Sequence, residues 1–82
     1  MERPYILVVH CGTEEQEKAV REYVKMQVKA LSLKSKSVSP GCIELNYEVR
    51  FPEGESGFVN ALSEMEGVTH TVLVSYNGDY MG

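Results

Sequence analysis

Side chains able to carry a proton, a metal or a nucleophilic electron pair gather at a few places in this 82-residue chain. His10 and Cys11 are adjacent and lead into Gly12 and Thr13, and a second histidine, His70, stands near the other end. A thiol–imidazole nucleophile requires the two groups to touch. Neighbouring residues on a strand point to opposite faces, so Cys11 reads as a packed thiol and no catalytic residue is assigned. His70 can share a sheet face with His10, and two imidazoles with Glu44 or Glu48 are donor types that metals accept. Metal centres, however, want three or four ligands and a supporting shell. The expectation is a pair of half-exposed histidines on an open sheet face, with no metal and no cofactor.

The elements that must position these groups follow from hydrophobic period. Tyr5-Ile6-Leu7-Val8-Val9 is apolar on both faces, with His10 as its first polar break, which suits a central or doubly covered strand over 2–11. Gly12 permits a sharp exit. Thr13 is a good N-cap, and Gln16 three residues on completes a capping box. Glu14, Glu15 and Glu17 suit the positive end of the helix that follows. Val20, Tyr23, Val24, Gln27, Val28 and Leu31 recur at three- and four-residue spacing, giving a helix over 13–30 with one mostly apolar face.

A hairpin comes next, with strands over 31–38 and 42–51. Ile43, Leu45, Tyr47, Val49 and Phe51 alternate with Glu44, Asn46, Glu48 and Arg50, so one face is buried and the other wet. A one-residue slip would turn Lys34 and Lys36 toward the core. A three-residue loop, Ser39 to Gly41, avoids this by pairing Lys36 with Glu44 and Leu33 with Tyr47. A second helix is expected over 56–66, capped by Ser56 and closed by Gly67, with Phe58, Val59, Ala61, Leu62 and Met65 inward. The last strand spans 68–76, and Asn77-Gly78-Asp79 is turn-like.

The order β-α-β-β-α-β is that of an α+β, ferredoxin-like sandwich. It implies a four-stranded antiparallel sheet in the order 4132 with both helices on one face. The loops after strands one and three open helices, whose first N–H groups lack intrahelical partners. Strands one and three are expected to lie adjacent and parallel, so both loops share one edge of the sheet. The candidate ligand-binding residues are then His10, Cys11, Gly12, Thr13, Glu55 and Ser56. Acidic side chains in both helix openings disfavour an anion there.

Composition narrows the class. The length suits a single domain, residues 1–82, with 43% hydrophobic and 24% charged residues and a net charge of −4. A nucleic-acid module would carry a basic footprint. The basic residues between Lys18 and Lys36 read instead as solvated faces. No apolar run approaches the ~20 residues of a membrane-spanning helix. Cys11 and Cys42 lack metal spacing and read as free thiols of a reducing compartment.

Three stretches carry a resemblance: Tyr5 to Gly12, Glu44-Leu45-Asn46-Tyr47-Glu48-Val49, and Glu66 to Tyr76 with its Gly67-Val68 step into the last strand. Together they resemble ACT-like domains. More narrowly, the chain resembles the soluble C-terminal tail of a bacterial membrane-protein family labelled as a domain of unknown function, and the C-terminal domain of MgtC-type proteins. The resemblance implies a non-enzymatic regulatory or interaction domain on the cytosolic side of a membrane. Its partners would be a second copy or the rest of a membrane protein, and a small-molecule effector would sit near the loop after strand one, here Gly12-Thr13. The alternative is a small-molecule or metal-ion binding module using that loop. Related folds fit less well. Metal chaperones carry Cys-x-x-Cys after strand one, RNA-recognition motifs are basic and stack bases on central aromatics, and acylphosphatase-like enzymes need an arginine-bearing phosphate loop.

Overall fold

The computed structural model describes residues 2–76; the expected turn at Asn77-Gly78-Asp79 lies outside them. The elements are β1 (Glu2–Cys11), α1 (Glu14–Gln27), β2 (Ala30–Ser39), β3 (Cys42–Pro52), α2 (Phe58–Ser63) and β4 (His70–Ser75). All strand pairs are antiparallel, in the order β2-β3-β1-β4. This is the ferredoxin-like α+β fold.

Alternation along β1 and β3 builds the core. Tyr5, Leu7, Val9 and Cys11 meet Val49, Tyr47, Leu45 and Ile43 across the ladder, and all are buried. Val20 and Val24 of α1, with Phe58 and Leu62 of α2, close this face. Tyr5 stacks on Phe51 at 4.3 Å, and Phe51 meets Phe58 edge-on at 5.2 Å. Offset and T-shaped ring pairs of this kind add roughly 0.5–1.5 kcal/mol beyond area burial.

Both helices are shorter than their periodicity suggests. α1 stops at Gln27 because Val28 is already extended (φ −117°, ψ 162°), and Lys29 donates its N–H to the Arg50 carbonyl, opening the sheet pairing. In α2 the capping position falls to Gly57, which makes no side-chain cap, rather than to Ser56. Gly67 (φ +80°) shapes a turn after Met65 and not the end of α2 itself.

The hairpin departs from expectation. Its loop has two residues: Ser39 pairs with Cys42, and Gly41 takes a left-handed φ of +76°. Proline then glycine suits the two corners of a type II turn. The tight loop pairs Lys36 with Leu45 rather than Glu44, whereas Leu33 still meets Tyr47. A β-bulge at Lys34 reconciles the two halves. It keeps Leu31 and Leu33 on the helix-facing side and, beyond the bulge, moves Lys36 there as well.

Candidate functional site

The site builds outward from the end of β1. Antiparallel pairing puts Glu2 opposite Pro52 and Cys11 opposite Ile43. The loop after β3, with Glu55 and Ser56, therefore lies at the end of the sheet opposite His10–Thr13. The six candidate residues do not meet at one edge, because β1 and β3 are antiparallel. Instead, the β2–β3 turn, the start of β4 and the chain after α2 share the β1 exit: Thr69 donates its N–H to the His10 carbonyl at 3.0 Å.

Gly12 and Thr13 are held by Gln16. Its Oε1 accepts from the N–H of Gly12 at 2.8 Å and from that of Thr13 at 3.1 Å, while Thr13 Oγ1 accepts from the Gln16 N–H at 3.2 Å. The capping box expected from sequence is present. It also occupies the Gly12 and Thr13 N–H groups that a ligand was expected to find free. Gly67 lies against the same side chain: a Cβ there would overlap the Gln16 amide. Beside this clamp lies a depression of about 530 Å³, lined by Thr13, Glu15, Gln16, Ala19, Met65 and Glu66.

Cys11 and His10 part company, as strand alternation requires. Cys11 faces the core at 2% exposure. Burial chiefly, then the Glu17 carboxylate and Cys42, push its thiol above the ordinary value of 9.0, against a smaller opposing pull from Lys36. Tyr47 is raised for the same leading reason, with Glu17 next. These groups stay protonated at neutral pH, the wrong state for a thiolate nucleophile.

His10 lies on the other face. Its Nε2 is 2.9 Å from Glu44 Oε2, and its ring lies 5.2 Å from that of His70, tilted by 49°. Glu48, the other carboxylate considered, pairs with Lys34 at 3.6 Å. The histidines do share the open face, and Glu44 completes a row of three. Among the described residues, no three His, Cys, Asp or Glu side chains are already arranged around a metal position.

No protein-family model matches the chain, nor does any curated protein. Among solved structures it is similar to the solution structure of the C-terminal domain of the MgtC protein from Mycobacterium tuberculosis. The TM-score is 0.69 over 98% of this chain and 92% of that one, at 18% identity. The chain has the fold of the MgtC C-terminal domain. With so little identity, the match to MgtC carries backbone architecture and no side-chain role. Among the described residues no helix is long and apolar enough to cross a membrane.

Sequence reasoning missed two contacts. Lys36 crosses to α1 and meets Glu17, their charged atoms 2.9 Å apart. Gln16 braces Gly67, some fifty positions away in sequence. The hairpin's loop length was the only local signal for the first, and no local signal marks the second.

Proposed function

We propose that the chain is a non-enzymatic interaction domain that pairs with a second copy of itself, carried on the cytosolic side of a bacterial membrane by the protein it belongs to. One observation carries the pairing: an apolar strip of Ile6, Val8, Val72 and Val74 on the open face runs out to an unguarded sheet edge.

The two edges of the sheet differ. β2 carries Lys34, Lys36 and a bulge, devices that discourage edge pairing. β4, His-Thr-Val-Leu-Val-Ser, has no bulge, proline or lysine. A two-fold interface sets equal patches against each other, and β4 carries no lysine, arginine, aspartate or glutamate to be set against its own kind. Val74, 45% exposed at this edge, would be covered by the partner. The similarity to the MgtC C-terminal domain supports a place on a membrane protein. The opposed faces of Cys11 and His10 support the absence of catalysis.

Sedimentation and light scattering across a concentration series test the pairing. A dimer that Val74→Lys converts to a folded monomer is expected; a wild-type monomer at millimolar concentration overturns it. Fractionation of the intact protein from its native cells tests the membrane half separately.

A second reading, small-ligand sensing, is favoured by the depression beside the β1 exit, where Glu15 and Glu66 flank Met65 and Ala19. Such a lining suits a small cation with an apolar portion. A thermal-shift screen of amino acids and amines tests it, and no shift in any member removes it.

A further inference from the structure

We propose that Glu44, His10 and His70 form a binding site for a divalent transition metal of the zinc class on the open sheet face. The inference is independent of self-pairing and of membrane attachment.

The three residues lie in one row across β3, β1 and β4, with His10 directly opposite Glu44 on one side and His70 on the other. Directly opposed residues hold their Cβ atoms about 4.5–5.5 Å apart, within reach of a shared ion. The spacing of the first two donors is informative. Ligand atoms about 2.0–2.1 Å from one tetrahedral zinc lie about 3.3–3.4 Å from each other. His10 Nε2 and Glu44 Oε2 are 2.9 Å apart. The hydrogen bond thus holds an imidazole and a carboxylate a few tenths of an ångström closer than neighbouring zinc ligands, and a metal binds between them by taking the place of the shared proton, which passes to the other ring nitrogen or to solvent.

His70 supplies the third donor. Its ring lies 5.2 Å from that of His10 and tilted by 49°, and the three groups do not meet around one point as placed. His70 is exposed, so rotation about its Cα–Cβ and Cβ–Cγ bonds meets no core packing and swings a ring nitrogen toward the other two. Water completes the coordination. Two imidazoles and one carboxylate suit zinc, nickel or copper better than magnesium or calcium, which prefer all-oxygen sites. The middle ligand rides on β1, a strand paired on both sides, which limits backbone drift.

Zinc chloride titrated into the domain, read by calorimetry and by the imidazole resonances, tests the site. One-to-one binding is expected, with shifts centred on His10 and His70. His70→Ala and Glu44→Gln should each weaken it at least about tenfold, the loss that even a supporting partner of a ligand typically causes. Cys42→Ser, which removes the thiol two residues from Glu44, should leave binding unchanged. Circular dichroism confirms that each variant is folded; these side chains lie outside the core, so folding is expected to survive. Absence of binding up to about 1 mM zinc overturns the proposal. So does wild-type affinity in either His70→Ala or Glu44→Gln, or a loss of binding in Cys42→Ser.

Discussion

Lys36 Nζ lies 2.9 Å from Glu17 Oε1, tying the edge strand β2 to α1. The contact exists because the two-residue Pro40-Gly41 turn rotates Lys36 toward the helix side, where the nearly buried Glu17 needs a cation. A register that looks unfavourable along the hairpin is thus compensated by a helix residue 19 positions upstream.

Removing one member should cost more than removing both. Lys36→Ala leaves Glu17 partly desolvated and unpaired, for about 1–2 kcal/mol of lost stability. The pair is partly exposed, so the cost stays below that of a fully buried bridge. Lys36→Met with Glu17→Met should restore most of it. Urea unfolding of the single and double variants gives the coupling.

Gly67→Ala should destabilise by more than Gly41→Ala, although both glycines have positive φ. At Gly41 the added methyl meets open space and the cost is backbone strain alone, on the order of 1 kcal/mol. At Gly67 it also strikes the Gln16 amide. Combining Gly67→Ala with Gln16→Ala should recover the steric part but lose the N–H acceptor of Gly12 and Thr13. A double-mutant cycle measured by thermal unfolding should therefore be clearly non-additive.

Alkaline pH should weaken the fold. Burial raises both the Cys11 thiol and the Tyr47 phenol above their ordinary values of 9.0 and 10.0. The unfolded chain then releases these protons first as pH rises. The stability they contribute is fully present below those values and is lost as pH climbs through them toward the raised folded values. The urea midpoint should fall from pH 8 to pH 11, and Cys11→Ala should flatten the early part of that fall.

Deleting Lys34 should leave a folded domain. Leu33 already pairs with Tyr47 and Ser35 with Asn46, so the deletion joins two halves that are in register. The lost Lys34–Glu48 contact is partly exposed and long, at 3.6 Å, and worth about 1 kcal/mol or less. The straightened β2 loses a guarding lysine and its bulge. Light scattering should show more concentration-dependent association than in the parent chain.

Much of the architecture was legible because it is encoded locally. The alternation from Ile43 to Phe51 identified the buried side of β3, and Val20 and Val24 marked the inward face of α1. Thr13 and Gln16 announced the helix start. The site was less legible, since its parts come from different strands. His10 and His70 were expected to share a face, and they do. Glu55 and Ser56 were expected beside His10 and lie at the other end, because β3 runs antiparallel to β1, as the expected antiparallel sheet requires, and not parallel to it as that placement assumed.

By itself, then, the sequence determined the order of elements, the buried faces of β1, β3 and α1, and the cap of α1. These depend on side-chain period and on groups within one turn of each other. Only the tertiary structure decided the bulge at Lys34, the crossing of Lys36 to Glu17 and the row of Glu44, His10 and His70. Each of these depends on pairing between distant segments, where a shift of one residue reverses which side of the sheet a side chain occupies.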